Sequence, residues 1–327
     1  MTQTNQQRVL GASGLEISPL GLGTNRWGAK RGQDVASIFQ TFQTALDADL
    51  TFFDTAEVYT GGESERLLGE CIGRDKRPVV VASKFAPLPN RLSPHALMDA
   101  LDASLSRLNI ETIDLYHVHW PYTLMRVDAL MDMMALAVRI GKIRAVGVSN
   151  FSARQMRQAA TRLARYDIPL ASNEVHYSLL HRRPEADGVL EACRELNVAL
   201  IAYRPLEGGY LNGQEPAGNA APASNQPTTA PASHARTSLL PVFMKKGPTR
   251  QEQKTILQAT LNEIAQAHQK TTSQVALNWL LQRDEHIIPI PGSTSPAHIA
   301  DNLSTLTWCL SQDEFEELDK ASLPWKR

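Results

Sequence analysis

The sequence predicts an α/β protein, a (β/α)8 TIM barrel with a short N-terminal β-hairpin and a long loop after its seventh strand. Eight short apolar segments alternate with amphipathic helical patterns along the chain. Near-continuous apolar strands that alternate with helices are typical of a parallel sheet covered by those helices. Such barrels often reach about 250 residues or more in one domain, so we expect a single domain over residues 1–327.

Local patterns define the individual elements. The predicted strands are residues 17–24, 50–54, 79–84, 113–119, 145–148, 170–175, 198–203 and 286–290. Val127, Leu130 and Met134 recur at helical spacing between two of these strands. Ser152 and Gln155 have the spacing of a capping box, which predicts the start of another helix.

Two segments depart from the alternation of strands and helices. Residues 8–18 contain Gly11 and Gly14 in a turn-like stretch, which predicts the hairpin before the first barrel strand. Residues 207–250 are rich in Gly, Pro, Ala, Asn and Thr and show no periodicity. A connection of that length is usually functional or disordered, so we expect a long flexible loop within the barrel domain.

Composition limits the classes of partner. Thirty-three Lys and Arg residues against 34 Asp and Glu residues give a net charge of -1, so nucleic acid is not an expected partner. No apolar run approaches the roughly 18 residues of a membrane span, and residues 1–8 lack the apolar core of a signal peptide. We expect a cytoplasmic protein without membrane contact, a monomer by default, with Cys71, Cys193 and Cys309 as reduced thiols.

In a (β/α)8 barrel the functional residues lie at the carboxyl ends of the strands and in the loops that follow. The polar residues at those positions are Thr24, Asp54, Tyr59, Lys84, His119, Ser149, Asn150, Glu174, Tyr203, Arg204 and residues 292–295. Asp54 and Lys84 end apolar strands, where an unpaired charge is costly. We therefore expect these two residues to face each other or a ligand.

Four of these residues suit protonation of a carbonyl oxygen. Tyrosine has an ordinary pKa of about 10 and needs a cationic neighbour to act as a general acid near neutrality. Lys84 would favour the tyrosinate form of Tyr59, and Asp54 would hold the lysine charged. His119 would donate a hydrogen bond to an oxygen in front of Tyr59.

Seven segments carry a resemblance to a known family. They are GLGTNRWG (21–28), FFDTAEVY (52–59), SKF (83–85), IDLYHVHWP (113–121), GKIRAVGVSNF (141–151), AYRPLEGGYLNG (202–213) and IPIPGSTSPAHIADNL (288–303). Together they strongly resemble the aldo-keto reductase superfamily over nearly the whole chain. The resemblance implies a (β/α)8 barrel that reduces aldehydes and ketones to alcohols with NADP(H), NAD(H) also being possible.

The resemblance also assigns residues to roles. The implied catalytic residues are Asp54, Tyr59, Lys84 and His119, and the implied substrate contacts are Trp27, Tyr59, His119 and Trp120, with no metal. The implied cofactor contacts are Gly23, Thr24, Asp54, Ser149, Asn150, Glu174, Tyr203, Arg204, Leu206, Ser293, Thr294, His298, Asp301 and Asn302. Tyr203 would stack on the nicotinamide ring, and the carboxamide would lie against Ser149, Asn150 and Glu174.

Glu174 and Arg204 differ from the usual residues of the family. Glu174 replaces a glutamine, so it would accept a hydrogen bond from the amide nitrogen but donate none to the amide oxygen. Its charge would favour the oxidised, cationic nicotinamide; alternatively, Glu174 turns to other donors. Arg204 replaces a serine and would clamp the cofactor pyrophosphate, or it would pair with Glu174.

The loop after the last strand is also unusual. Ser295 and Pro296 have the pattern of a helix N-cap followed by its first residue. Gly292, Thr294 and His298 occupy positions where the family usually has basic residues for the 2′-phosphate. We expect a modest preference for NADPH, carried by backbone N–H groups at the helix start and by a histidinium at 298, and rising as the pH falls.

Two other functions remain open at this point. A metal-dependent hydrolase would use His117, His119 and an acidic residue, with His176 as a third histidine ligand; otherwise His117 is a hydrogen-bonded core residue. A cofactor-binding subunit without catalysis is the second alternative. A Rossmann dehydrogenase is disfavoured because no GxGxxG motif opens a helix after the first strand.

Overall fold

The computed structural model describes residues 7–28, 35–91, 93–212 and 249–327. A two-stranded antiparallel hairpin, β1 (Arg8–Val9) and β2 (Glu16–Ile17), precedes the barrel. The barrel strands are β3 (Gly21–Gly23), β4 (Phe52–Asp54), β5 (Val80–Phe85), β6 (Ile113–Val118), β7 (Ile143–Ser149), β8 (Leu170–His176), β9 (Ala199–Tyr203) and β10 (Ile287–Ile290). Each of these strands pairs in parallel with the next along the chain.

The barrel closes between its first and last strands. A parallel bridge joins Gly23 to Gly292, and the Gly23 N–H donates to the Pro291 carbonyl at 3.2 Å. A Cβ at Gly23 would come within 3.2 Å of the Ile290 carbonyl oxygen, so glycine allows the close approach at this seam. The eight strands and the helices between them confirm the predicted (β/α)8 barrel.

Eleven α-helices are found in the described residues, and they cover the sheet. They are α1 (Val35–Asp47), α2 (Glu63–Arg74), α3 (His95–Leu108), α4 (Val127–Arg139), α5 (Ala153–Leu163), α6 (Arg183–Ala186), α7 (Val189–Leu196), α8 (Arg250–His268), α9 (Thr272–Arg283), α10 (Pro296–Leu303) and α11 (Gln312–Ser322). The predicted capping box of Ser152 and Gln155 is confirmed at the start of α5. No helix in these parts of the chain is long and apolar enough to cross a membrane.

The interior of the barrel changes from apolar to polar along its axis. Residues two apart on a strand point to the same side of the sheet. Ala82 therefore shares the interior side with Lys84, and Leu115 with His117, and both apolar residues lie closer to the amino-terminal end of the barrel. The apolar interior layer that contains Ala82 and Leu115 packs against the hairpin residues Leu10, Leu15 and Ile17, which belong to the same buried cluster. The hairpin therefore plugs the amino-terminal end of the barrel, and the polar side chains gather at the opposite end.

The structure divides the first predicted strand. Residues 17–24 do not form one strand, because Ile17 pairs with Arg8 in the hairpin. The chain turns at Ser18, whose hydroxyl donates to the Leu20 carbonyl and accepts the N–H of Phe52. Of the predicted loop 207–250, Glu207–Asn212 forms a 3-10 helix and residue 250 begins α8; residues 213–248 lie outside the described residues.

Two glycines of α2 offer a matched test of the helix packing. A Cβ at Gly69 would lie 2.3 Å from the backbone oxygen of Leu108 on α3, whereas a Cβ at Gly73 would meet nothing within 4 Å. Gly69→Ala should lower the free energy of unfolding by about 1–3 kcal/mol through overpacking. Gly73→Ala should raise it by about 0.5–1 kcal/mol through helix propensity. Urea denaturation measures both, and equal effects would contradict this packing.

Candidate active site

Asp54 and Lys84 form a buried ion pair at the carboxyl ends of β4 and β5. Lys84 Nζ lies 2.5 Å from Asp54 Oδ1 and 2.9 Å from the Thr55 carbonyl oxygen. Their side chains are 0% and 2% exposed. The two residues thus face each other, as their positions at the ends of apolar strands led us to expect. Burial opposes the charge on Lys84, but Asp54 and Glu174 outweigh it and raise the pKa of the ammonium.

Tyr59 lies over this ion pair on a strained turn. It begins a 3-10 helix in which Thr60 and Gly61 have positive φ angles. The Thr60 hydroxyl is within 2.9 Å of the Trp27 carbonyl and accepts the N–H of Ser64, which holds the turn against the barrel rim. The centroid of the Tyr59 ring is 5.0 Å from Lys84 Nζ.

His119 completes the group of four. Its ring meets the Tyr59 ring edge-on, with 5.8 Å between centroids. Burial and the charge of Lys84 lower the pKa of His119 to about 3, so the imidazole is neutral near pH 7. Its Nδ1 atom has no hydrogen-bond partner among the described residues. A neutral imidazole can donate one hydrogen bond, as the sequence-based hypothesis for His119 requires.

The acidity of Tyr59 depends on three neighbouring charges. Burial raises the pKa of Tyr59 above its ordinary value, and Lys84 lowers it. Asp54 and Glu174 add to the increase. Lys84 therefore acts on Tyr59 in the predicted direction, but it is opposed by two carboxylates rather than one.

Glu174, on β8, is the second carboxylate in contact with Lys84. Its Oε2 atom lies 3.3 Å from Lys84 Nζ, and the side chain is 2% exposed. Burial and the charge of Asp54 raise the pKa of Glu174 to about 8. Of the two arrangements predicted from the sequence, the structure has Glu174 turned to another group, the Lys84 ammonium, with which it forms an ion pair. The alternative in which Arg204 pairs with Glu174 is wrong, since Arg204 is exposed and makes none of the ion pairs found among the described residues.

Ser149, Asn150 and Tyr203 form a hydrogen-bonded group beside Glu174. The Tyr203 hydroxyl donates to Asn150 Oδ1 at 3.0 Å. Asn150 Nδ2 donates to the His119 carbonyl at 3.1 Å, and the Ser149 hydroxyl donates to the Glu174 carbonyl at 2.9 Å. Asn150 has a φ of 60°, a conformation that asparagine tolerates better than most residues. The group ties the ends of β6, β7, β8 and β9 together.

Sequence reasoning missed the support behind Tyr203. The His176 ring stacks on Tyr203, with centroids 5.4 Å apart, and on His181 at 3.9 Å. His176 Nε2 lies 2.7 Å from Glu207 Oε1, and the Ser178 hydroxyl also donates to that oxygen. From the sequence, Glu207 only begins the predicted loop 207–250. The available signal was the two-residue spacing of Glu174 and His176, which places both on one face of β8.

The two tryptophans have different surroundings. Trp27 is fully buried, and its indole N–H donates to the Ser293 carbonyl at 2.8 Å. This geometry favours core packing over the predicted substrate contact. Trp120 is half-buried, and its ring lies 4.6 Å from that of His119. Trp120 therefore borders the group of four polar residues.

The remaining predicted cofactor residues lie at the end of β3, after β9, and in or just before α10. Thr24 is buried and donates to the Asp54 carbonyl at 2.9 Å, and Leu206 is half-buried in the turn after β9. His298 is exposed, and Asn302 is buried. Asp301 accepts hydrogen bonds from the Thr271 hydroxyl at 3.0 Å and the Gln274 amide at 2.8 Å. These contacts join α10 to α9.

The start of α10 is as predicted, but its cap is not. Ser295 is the N-cap residue and Pro296 follows it. The Ser295 side chain makes no capping hydrogen bond; instead, the Ser293 hydroxyl accepts the Ser295 N–H at 3.2 Å. The Thr294 carbonyl accepts the Ser37 hydroxyl at 3.4 Å, which links this loop to α1.

The ligand set of the hydrolase alternative is not assembled. His117 Nε2 lies 2.9 Å from the Ser172 hydroxyl, and His176 pairs with Glu207. Within the described ranges, the three possible metal ligands that converge are Asp54, His117 and Glu174, whose ligand atoms lie within 4.8 Å of one another. The Lys84 ammonium already lies against both of those carboxylates. His119 and His176 are not part of this cluster.

The polar group lies at the carboxyl ends of the strands, where enzymes with a (β/α)8 barrel have their active sites. The profile of the Aldo/keto reductase family matches residues 19–323. The chain belongs to the aldo/keto reductase family.

Individual relatives cover most of the chain. It is 35% identical over 326 residues to the chloroplastic pyridoxal reductase of Arabidopsis thaliana, covering 94% of this chain and 84% of that protein. It is 33% identical to the NADP(+) aldo-keto reductase yakc of Schizosaccharomyces pombe, covering 85% and 80%. Among solved structures, a thermostable aldo-keto reductase bound to epalrestat has a TM-score of 0.76 at 30% identity, covering 96% and 99%. An NADPH complex of an aldo-keto reductase from Klebsiella pneumoniae has a TM-score of 0.75 at 26% identity, covering 98% and 96%.

Removing the lysine ammonium should destabilise the fold in a pH-dependent way. Lys84→Met would leave Asp54 and Glu174 without their cation, at a cost of about 3–5 kcal/mol near pH 8. The cost should be smaller at pH 5.5, because carboxyls whose folded-state pKa is raised take up protons there and the penalty grows as the pH rises. Urea denaturation at both pH values measures the difference.

A surface lysine provides the control for this experiment. Lys142 pairs with the exposed carboxylate of Asp102. Lys142→Met should cost less than about 1 kcal/mol at both pH values. The electrostatic role of Lys84 would be contradicted if Lys84→Met lost as little free energy of unfolding as Lys142→Met, or if it lost the same amount at both pH values.

Proposed function

We propose that the protein reduces aldehydes and ketones to alcohols with NADPH, with Tyr59 as the general acid. The observation that carries the proposal is the convergence of Tyr59, Lys84, Asp54 and His119 at one end of the barrel. Membership of the aldo/keto reductase family supports it, as do the NADPH complex of the Klebsiella pneumoniae relative and the NADP(+) named for the Schizosaccharomyces pombe relative.

Each of the four residues has a distinct task in this reaction. The substrate carbonyl oxygen lies in front of Tyr59 and accepts a hydrogen bond from neutral His119. Tyr59 gives its hydroxyl proton to that oxygen as a hydride reaches the carbonyl carbon, and the product is the alcohol. Lys84 stabilises the tyrosinate that remains, and Asp54 holds Lys84 in place. The bound NADPH supplies the hydride.

The rim residues fit a dinucleotide. Glu174 lies on β8 beside Ser149 and Asn150, where a carboxylate can accept the amide N–H of a nicotinamide. The exposed Arg204 can bind the diphosphate. We assign Gly23, Thr24, Ser149, Asn150, Tyr203 and Leu206 to the nicotinamide and diphosphate side, and Ser293, Thr294, His298, Asp301 and Asn302 to the adenosine side.

The role of Tyr59 is tested by removing its hydroxyl. Tyr59→Phe should lower the NADPH-dependent reduction of reactive aldehydes by at least about 10², the usual effect of losing a general acid. The dissociation constant for NADPH, measured by fluorescence titration, should stay nearly the same. Tyr166→Phe is the control, because the Tyr166 hydroxyl donates to Asp132 on α4 and lies away from the ion pair.

Several outcomes of the same experiment separate the alternatives. Near-normal turnover in Tyr59→Phe would exclude Tyr59 as the proton donor. NADPH binding without turnover on any carbonyl of a broad panel would indicate the non-catalytic subunit. Activity lost with EDTA and restored by zinc would indicate a metal-assisted reaction instead. We expect chelation to leave the rate unchanged.

The cofactor preference is tested at Thr294. We expect a modest ratio of dissociation constants for NADH and NADPH, because no basic side chain occupies positions 292 and 294. Thr294→Arg should add a charge-assisted hydrogen bond to the 2′-phosphate, worth about 1.5–3 kcal/mol or roughly 10- to 100-fold in the ratio. A wild-type ratio above about 10³ that the arginine leaves unchanged would mean that another basic residue binds the phosphate. Arg250 is the first to test; Arg236 lies outside the described residues.

A further inference from the structure

Glu174 and Tyr59 approach the same ammonium group. A lysine ammonium has three N–H donors. Asp54 Oδ1 lies 2.5 Å from Lys84 Nζ, and the Thr55 carbonyl oxygen lies 2.9 Å from it. Glu174 Oε2 lies 3.3 Å away on β8, and the Tyr59 ring centroid lies 5.0 Å away. Asp54 and Thr55 leave one donor of Lys84 over, and both Glu174 and Tyr59 interact electrostatically with the ammonium.

Lys84 is the only cation that pairs with Glu174 in the described part of the chain. A carboxylate oxygen of Asp54 on β4 and a ring nitrogen of His117 on β6 lie within 4.8 Å of a Glu174 carboxylate oxygen. The charge of Glu174 also raises the pKa of Tyr59 and of Tyr203. Burial, with Lys84 as a further cause, holds the pKa of His117 well below its ordinary value, so this imidazole brings no positive charge. With Asp54 ionised, the group has a net charge of -1 when Glu174 is ionised and 0 when it is protonated.

The proton of this carboxylate pair belongs on Glu174. Asp54 has the shorter contact with Lys84, at 2.5 Å against 3.3 Å, so the ammonium stabilises its charge more strongly. Glu174 Oε2 lacks an aligned donor. Burial and Asp54 raise the pKa of Glu174 to about 8, so the carboxyl changes its charge within the range where enzymes are assayed.

We propose that Glu174 is a positioning residue that limits carbonyl reduction at alkaline pH by drawing Lys84 away from Tyr59. When Glu174 is protonated, the ammonium is free to stabilise the tyrosinate that forms as Tyr59 gives up its proton. When Glu174 is ionised, it takes that donor and adds a negative charge, so Tyr59 becomes a weaker acid. The inference rests on the proposed role of Tyr59.

The test compares three side chains at position 174. In the wild type, kcat/KM for NADPH-dependent aldehyde reduction should fall about five- to tenfold between pH 7 and pH 9, as the protonated fraction falls. Glu174→Gln keeps the shape without the ionisation and should change less than about twofold over that range. Glu174→Asp keeps a carboxyl and should retain the fall. Glu195→Gln, a surface carboxylate paired with Arg157, is the control and should behave as the wild type.

A spectroscopic measurement follows the ionisation without turnover. Difference infrared spectra between pH 7 and pH 9 should show the loss of a protonated carboxyl band in the wild type. That band should be missing in Glu174→Gln and unchanged in Tyr59→Phe. This readout also serves if one of the variants has too little activity for a pH profile.

The outcomes distinguish this inference from the proposed function. A fall in kcat/KM that Glu174→Gln retains in full, or a carboxyl band that it keeps, would overturn the role of Glu174 while leaving Tyr59 as the acid. Absence of carbonyl reduction at every pH in the wild type would instead overturn the proposed function. The inference would be supported if Glu174→Gln, and no other variant, lacked both the fall in kcat/KM and the protonated carboxyl band.

Discussion

The rest of the site depends on a single constraint, the complete burial of the Lys84 ammonium at the end of the barrel. A charge in that position is stable only with a counter-charge and hydrogen bonds, and Asp54 and the Thr55 carbonyl provide them. Because those partners lie on β4 and in the segment after it, the ion pair requires β4 and β5 to keep their register. The same ammonium brings Glu174 of β8 into the group, so one cation organises three strands.

The apolar half of the barrel makes this polar group possible. The apolar interior layer at the amino-terminal end of the barrel and the hairpin residues Leu10, Leu15 and Ile17 form one buried cluster. That cluster excludes water from the amino-terminal end of the barrel, which strengthens each electrostatic contact in the polar group at the opposite end. The large pKa changes follow from this placement: His119 is held neutral with a pKa of about 3, and the pKa of Glu174 is raised to about 8. The hairpin thus contributes to the chemistry of a site that it does not touch.

Sequence patterns predicted the features that depend on near neighbours in the chain. The capping box at Ser152 needs only residues three apart, and it is present. The polar positions at strand ends follow from the two-residue alternation, and the expected pair of Asp54 and Lys84 is present. The cap at α10 shows the limit of such patterns, because the Ser295 side chain makes no capping hydrogen bond although it is the N-cap residue. Its own N–H donates to the Ser293 hydroxyl instead, and the path of the loop between Pro291 and Pro296 sets this contact.

By itself, the sequence determined the family, the barrel, and which polar side chains stand at the ends of its strands. Only the tertiary structure decided that Glu174 contacts Lys84 rather than Arg204, that His176 supports Tyr203 while bound to Glu207, and that Trp27 packs in the core. Each of these contacts joins residues many positions apart in the chain. Their distances are set by strand register, barrel closure and the paths of the loops, and these arise from the packing of the whole chain, which no local pattern of residues encodes.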